Sequence, residues 1–235
     1  MIGFLLVLLA VPIGGFLNMV CDWLPKKQGG FLSRPFCANC GSRLRARNYL
    51  ALPGWFLAGN RCQSCQARLP LRRTLVEFGC IMLFAYLWWR QVDITQFLLL
   101  AIYSCILIMF FVTDVEHRLV SNYLLGAAAI SALAFALLEV RIGLRSTLLG
   151  GLTGLVIFFG LALLRPGAMG GGDVKLAGLI GLMNGFPEVL QALLLGILLG
   201  GITAGLLMAA RLRSGKSYIP YAPFLAVGAL ISLLR

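Results

Sequence analysis

The sequence predicts an all-α polytopic membrane protein with about eight transmembrane helices, and three observations support this fold class. Of the 235 residues, 60% are hydrophobic and 12% are charged, and the mean hydropathy is +0.93. Apolar segments near the length that crosses a bilayer, about 20 residues, recur along the chain. Polar residues are concentrated in a single segment, 22–73. A soluble domain of this size does not need so much apolar surface.

Eight apolar segments are the candidate helices. In chain order they are 2–20, 75–90, 95–113, 119–138, 146–164, 174–186, 188–210 and 219–234. The first lacks a basic N-terminal region and an Ala-x-Ala-like cleavage site, so we expect a retained helix rather than a signal peptide. The segment 174–186 is short for a complete span. Glycines at four-residue spacing predict close helix packing in lipid. They are Gly150/Gly154 and Gly196/Gly200 with Gly201/Gly205.

The distribution of basic residues predicts the topology. Segment 22–73 carries ten Lys and Arg residues, so the positive-inside rule places it in the cytoplasm and the N-terminus outside. Threading eight spans from there puts 16 of the 20 Lys and Arg residues on the cytoplasmic side. The net charge of +12 then reflects topology and anionic lipid headgroups, and we expect no nucleic-acid partner. The predicted organisation is a first helix at 1–21, a cytoplasmic loop at 22–73 and a membrane domain at 74–235.

Four cysteines in the cytoplasmic loop have the spacing of a zinc site. Cys37 and Cys40 form one pair, and Cys62 and Cys65 form a second pair after 21 intervening residues. Each pair can place two thiolates on one tetrahedral ion, and four protein ligands make the site structural. Gly41 suits the tight turn that follows such a pair. A reducing cytoplasm disfavours disulfides, and two redox-active motifs are the alternative.

Elimination among the eight acidic residues leaves one candidate catalytic pair. Asp93, Glu139 and Glu188 fall on the outer side in this topology. The other five acids fall on the cytoplasmic side. Of these, Asp114 ends one apolar run and Asp173 begins another, at the same cytoplasmic depth. Two close carboxylates share one proton, so one can act as a base on water while the other donates to a carbonyl group. The alternative is that each acid only caps or flanks a helix, with Asp173 as an N-cap.

Two neighbours of these acids have their own interpretations. Lys175 lies two positions after Asp173 and projects away from it on a helix, which suits a contact with a lipid headgroup. His117 follows Asp114 by three positions and could face it. A lone histidine is more often a polar residue at the membrane interface.

Five motifs in order resemble those of the bacterial type IV prepilin peptidases, which are GxGD-type intramembrane aspartic proteases. The motifs are Gly14-Gly-Phe-Leu-Asn18, the two cysteine pairs, Thr113-Asp114-Val-Glu-His-Arg-Leu119, Gly170-Gly-Gly172-Asp173-Val-Lys-Leu176 and Ile219-Pro-Tyr-Ala-Pro-Phe-Leu-Ala226. The resemblance implies that the short basic leader of type IV prepilins or type II secretion pseudopilins is cleaved at the cytoplasmic face of the bacterial inner membrane. These substrates and membrane lipids are the expected partners.

The resemblance also implies residue roles. Asp114 and Asp173 would be the catalytic pair, Gly170 and Gly172 would shape the active site, and the segment 74–235 would be the peptidase domain. The four cysteines, Cys37, Cys40, Cys62 and Cys65, would bind zinc.

Many members of this family also methylate the new N-terminal amine, using S-adenosylmethionine, and the cysteine loop is implicated. The family's R-Y-P-L-V-E reads Arg72-Arg-Thr-Leu-Val-Glu77 here, which keeps the acid and loses Tyr-Pro. The segment 22–73 is therefore a candidate methyltransferase region, with Glu77 as an associated residue and S-adenosylmethionine as the cofactor if that activity is retained.

Two other classes of function stay open. A proton-coupled transporter also uses intramembrane carboxylates and broken helices, but it needs a polar path across the bilayer. A non-enzymatic scaffold would dock a pilus assembly partner on the zinc loop and would not need either aspartate.

Overall fold

The computed structural model describes residues 2–25, 37, 39–42, 44, 50–52, 54, 59, 61–164, 169–210 and 221–235. Within these ranges the chain forms eight helices of 13 residues or more. They are α1 Ile2–Trp23, α2 Leu71–Trp89, α3 Ile94–His117, α4 Asn122–Leu137, α5 Leu144–Leu164, α6 Gly171–Asn184, α7 Glu188–Ala209 and α8 Ala222–Leu234. Each predicted apolar segment coincides with one helix.

Four of the helices are long and apolar enough to cross a membrane. They are α3, α5, α7 and the Leu6–Trp23 part of α1. The helices α4 and α8 are apolar but shorter, with 16 and 13 residues. The helical prediction is therefore confirmed for the described residues, and four candidate spans agree with a polytopic membrane protein; the number of eight complete spans stays a prediction.

Residues 1–97 form one compact unit, in which α1 packs directly against α2. A Cβ atom added to Gly14 would lie 2.7 Å from the Cα atom of Glu77, so only glycine permits this approach. One turn further along α1, the Asn18 side-chain amide donates a hydrogen bond to the backbone carbonyl of Arg73 at 2.9 Å. The spacing of Gly14 and Asn18 in the first motif thus places both on the face of α1 that contacts α2.

Residues 98–235 form the second unit, in which α5 and α6 pack backbone against backbone. A Cβ atom added to Gly150 would lie 2.4 Å from the carbonyl oxygen of Gly181, and one added to Gly154 would lie 2.3 Å from that of Ala177. Small residues at this spacing let two helices approach closely. In lipid, helix association depends on such packing because there is no hydrophobic driving force between the helices. The contact fixes α6 against α5 over more than one turn.

The helices α7 and α8 pack in the same manner. A Cβ atom on Gly228 would lie 2.5 Å from the carbonyl oxygen of Ala192, and one on Gly196 would lie 3.0 Å from the Cα atom of Leu225. The predicted glycine packing is confirmed at four positions, Gly150, Gly154, Gly196 and Gly200. It is wrong for Gly201 and Gly205, where an added Cβ would meet no described atom within 4 Å because both lie on an exposed face of α7.

Candidate functional site

Asp114 lies in the last turn of α3 and is 6% exposed. The Arg118 N–H donates a hydrogen bond to the Asp114 carbonyl at 2.9 Å. Arg118 itself has a left-handed backbone conformation, with a φ of 52°, and the helix ends there. The Asp114 Oδ2 atom is buried and has no hydrogen-bond partner among the described residues. A buried carboxylate oxygen without a partner is costly, and such groups are concentrated at functional sites.

Asp173 lies in the first turn of α6 and is 4% exposed. The expectation that this helix starts at 174, with Asp173 as a possible N-cap, is wrong by three residues. The helix starts at Gly171, and Gly170 is the N-cap. The Gly170 N–H donates to Asp173 Oδ2 at 3.1 Å, while the Asp173 N–H donates to the Gly170 carbonyl at 3.0 Å. The glycine run therefore fixes the carboxylate beside the helix N-terminus, where negative charge is favoured.

The structure brings these two acids together from two different helices. The carboxylates of Asp114 and Asp173 interact electrostatically, and Arg118 acts on Asp114 from the end of α3. Both carboxylates are buried. Ionising both of two neighbouring buried acids is unfavourable, because it would place like charges together in a medium of low polarity.

The glycines of the motif have separate structural roles. Gly170 has an extended conformation as the N-cap, with φ −76° and ψ 146°. A Cβ atom on Gly172 would lie 2.9 Å from the Cβ atom of Val120, in the connection between α3 and α4. A Cβ atom added to Gly171 would meet no described atom within 4 Å. Glycine at 172 thus lets the connection after α3 approach the start of the helix that carries Asp173.

The four cysteines of the polar segment form one cluster. All four Sγ atoms lie within 4.8 Å of one another, and the shortest distances are 3.7 Å for Cys37–Cys65 and for Cys40–Cys62. A tetrahedral zinc ion with Zn–S bonds of about 2.3 Å requires Sγ–Sγ distances of about 3.8 Å. All four are free thiols, and the distances are far longer than a disulfide bond. The cluster therefore fits one zinc ion with four ligands.

The two cysteine pairs adopt equivalent turns. The Gly41 N–H donates to the Cys37 carbonyl at 2.9 Å, and the Gln66 N–H donates to the Cys62 carbonyl at 3.0 Å. Both donors have left-handed backbone conformations, with φ of 68° at Gly41 and 57° at Gln66. The second turn thus uses glutamine where the first uses glycine, the residue that tolerates this conformation best.

Ser42 is a member of this cluster that sequence reasoning missed. Its hydroxyl lies 3.0 Å from Cys40 Sγ and 3.6 Å from Cys62 Sγ. Hydrogen bonds from the Cys65 backbone and the Ser42 hydroxyl lower the pKa of Cys62 to about 6. Hydrogen bonds from Ser42 also lower the pKa of Cys40. Both effects favour the thiolate form that binds a metal ion.

Comparison with known proteins identifies the family. The family model described as the type IV leader peptidase family matches residues 101–205, and that of the bacterial peptidase A24 N-terminal domain matches residues 8–91. The chain belongs to the type IV leader peptidase family. The two matches contain both the carboxylate pair and the cysteine cluster. This leader peptidase is therefore an enzyme, a membrane peptidase.

Relatives of the leader peptidase match it over most of its length. The prepilin leader peptidase/N-methyltransferase of Pseudomonas aeruginosa is 27% identical, over 97% of this chain and 88% of its own. The protein of that name in Bacillus subtilis is 22% identical, over 98% and 93% of the two chains. The type 4 prepilin-like proteins leader peptide-processing enzyme of Escherichia coli is 28% identical, over 86% and 76%. No solved structure matches the chain.

Tyr221 is a further residue that lies near Asp173. It precedes α8, interacts electrostatically with Asp173, and packs its ring against Phe158 with 6.3 Å between the centroids. The sequence signal for Tyr221 was its place in the fifth motif, Ile219-Pro-Tyr-Ala-Pro-Phe-Leu-Ala226. His117, in contrast, is exposed, with Nε2 3.7 Å from the Glu116 carboxylate.

The Glu77 carboxylate is buried in the first unit, where it accepts hydrogen bonds from two backbone N–H groups. It is 0% exposed, and its two oxygens accept hydrogen bonds from the N–H groups of Ala51 at 2.6 Å and Leu52 at 2.7 Å. Arg73 contributes an electrostatic interaction from the preceding turn of α2. Both carboxylate oxygens are thus engaged in joining the polar segment to α2.

Proposed function

We propose that this peptidase removes the short basic leader of type IV prepilins or type II secretion pseudopilins, with Asp114 and Asp173 as the catalytic pair. The observation that carries the proposal is the electrostatic interaction between two buried carboxylates contributed by α3 and α6. The names of the relatives, which are prepilin leader peptidases, support the substrate class.

The proposed reaction uses one shared proton. The ionised carboxylate of the pair removes a proton from a water molecule, whose oxygen attacks the scissile carbonyl carbon. The protonated carboxylate donates its proton to the carbonyl oxygen, and a tetrahedral diol forms. The C–N bond then breaks as one carboxyl group gives a proton to the leaving nitrogen, while a hydroxyl of the diol returns its proton to the other carboxylate. The products are the leader, with a new carboxyl terminus, and the mature chain, with a new amine.

The location of the reaction is part of the proposal. The excess of basic residues in segment 22–73 supports a cytoplasmic loop, a multi-pass chain in the bacterial inner membrane, and an outer N-terminus. Both acids lie at the helix ends that this topology turns toward the cytoplasm. We infer a structural role for zinc at the four cysteines, because four protein ligands leave no position for a reacting group.

We also propose that the enzyme methylates the amine produced by cleavage. The supporting observation is the second half of the relatives' name, N-methyltransferase. The methyl group would pass from the sulfonium of S-adenosylmethionine to the amine nitrogen, which loses a proton. The segment 22–73 is the candidate region for this activity.

A processing assay with the purified full-length protein tests the catalytic pair. Asp114→Asn and Asp173→Asn should each lower the rate of prepilin cleavage by about 100-fold or more, because each removes an acid–base group. Glu116→Gln is the matched control, since it removes an exposed carboxylate two positions along the same helix. Cleavage at the original rate in either Asp variant would remove that residue from the mechanism. The product mass, with and without S-adenosylmethionine, tests methylation in the same experiment.

The two other classes of function predict different results. A scaffold would support pilus assembly in both Asp variants and lose it in Cys37→Ser. A transporter would move protons across vesicle membranes without cleaving a prepilin.

A further inference from the structure

An apolar groove lies on the second unit, between α4, α5 and α6, and it opens to the surroundings. Its volume is about 530 Å³. Small residues of all three helices and leucines of α5 line it, including Gly126, Ala129, Gly151, Gly178, Leu148 and Leu152. The two leucines are 50% and 60% exposed. We call this feature the α4–α6 groove.

One end of the α4–α6 groove carries a positive charge. Lys175 is the only charged residue among those that line it, and its Nζ atom donates a hydrogen bond to Asn122 Oδ1 at 3.0 Å. An ammonium group has three donors, so this bond leaves capacity for an anion. Asn122 is the first residue of α4 and Lys175 lies in the first turns of α6, so the charge lies at one end of an otherwise apolar channel.

The position of the groove argues against the substrate helix as its occupant. On α6 the groove is lined by Lys175, Gly178 and Leu182, which share one face at three- and four-residue spacing. Asp173 precedes Lys175 by two residues, and is therefore rotated by about 200° around the helix. A prepilin helix in the groove would lie on the opposite side of α6 from the carboxylate that must reach its scissile bond.

We propose that the α4–α6 groove binds one acyl chain of a membrane phospholipid, with the lipid phosphate on Lys175. The groove is apolar and is lined by exposed leucines of a membrane helix, so a hydrocarbon chain fits it better than water does. Basic pockets between membrane helices at the cytoplasmic side are sites where anionic lipid headgroups bind. The charge complementarity of Lys175 and a phosphate fixes the direction of the lipid. The proposal depends on the membrane location of the chain and not on its peptidase activity.

Native mass spectrometry of the full-length protein in detergent, titrated with phosphatidylglycerol, tests this site. Ala129→Leu fills the groove and should remove the tightest-bound lipid. Gly126→Leu is a second filling variant, because Gly126 lines the groove and a Cβ atom added there would meet no described atom within 4 Å. Ala127→Leu is the matched control, since it adds the same side chain to an exposed position of α4 that does not line the groove. Lys175→Gln should weaken binding about fivefold, the effect of one cation near a lipid surface.

Two results would overturn the proposal. One is equal lipid retention in the Ala129→Leu and Ala127→Leu proteins. The other is that a photo-crosslinker at position 129 captures a bound prepilin instead of a phospholipid. Capture of the phospholipid, together with loss of the tightest-bound lipid in Ala129→Leu and Gly126→Leu but not in Ala127→Leu, would establish the site even if the Asp variants retained cleavage.

Discussion

Replacing Glu77 by glutamine should release the polar segment from α2. The carboxylate accepts one hydrogen bond at each oxygen, from Ala51 and Leu52, and it is fully buried. Glutamine keeps one acceptor and presents an NH₂ group to the second backbone donor, which leaves that donor unsatisfied. A hydrogen bond to a charged group contributes about 1.5–3 kcal/mol, so the loss of one amounts to about 2–3 kcal/mol.

Hydrogen exchange measured by mass spectrometry provides the assay. Amide protection reports the free energy of local opening, and about 2–3 kcal/mol corresponds to exchange about 30- to 150-fold faster at Ala51 and Leu52. Zinc content should not change, because the Glu77 carboxylate accepts hydrogen bonds from the Ala51 and Leu52 N–H groups and not from the four clustered cysteines.

The control variant for this experiment is Asp22→Asn. Asp22 pairs with Arg72 in the same unit, but the two side chains are 39% and 14% exposed, so the pair contributes at most about 1 kcal/mol. Unchanged protection at Ala51 in the Glu77→Gln protein would refute the anchoring role. Loss of methylation with protection unchanged would instead make Glu77 a participant in methyl transfer.

The remaining predictions concern glycine packing, the second cysteine turn and the metal. Gly154→Ala should lower the thermal stability in detergent by about 1–3 kcal/mol through overpacking, whereas Gly201→Ala on the exposed face of α7 should have no destabilising effect. Gln66→Gly should raise the stability of the cysteine loop by about 1 kcal/mol, measured by denaturant-induced zinc release, because it removes left-handed strain at a non-glycine residue. Cys40→Ser and Cys65→Ser should lower zinc content and protein level while the cleavage rate per folded molecule is kept; normal metal content in both would contradict a four-cysteine site.

The helices and the two acids could be predicted from sequence because each depends on local patterns. Apolar segments define membrane helices through a length requirement, so all eight segments coincide with helices. Asp114 and Asp173 could be paired by elimination because so few acids are present. The start of α6 was misplaced because Gly170, Gly171 and Gly172 interrupt the apolar pattern. The backbone continues as a helix there because the Asp173 carboxylate accepts the Gly170 N–H.

Contacts between distant parts of the chain could not be predicted. The Glu77 carboxylate meets backbone N–H groups, which have no sequence signature, 25 and 26 positions earlier. Ser42 joins the cysteine cluster because the first turn places its hydroxyl beside Cys62, a partner 20 positions away. Gly201 and Gly205 have the same four-residue spacing as the buried pair Gly150 and Gly154. The spacing alone therefore could not predict that Gly201 and Gly205 are exposed.

The two acids are held by their helices in different ways, and this gives the proposed active site a fixed half and an adjustable half. The helix that carries Asp173 touches its neighbour through backbone atoms at Gly150 and Gly154, and such a contact cannot slide without a clash. The helix that carries Asp114 contains no glycine, and its Tyr103 ring packs edge-on against the Phe135 ring of α4; side-chain contacts of this kind permit small shear displacements. We therefore expect a peptide to be admitted by movement of α3, with α6 as the stationary surface against which the scissile bond is aligned.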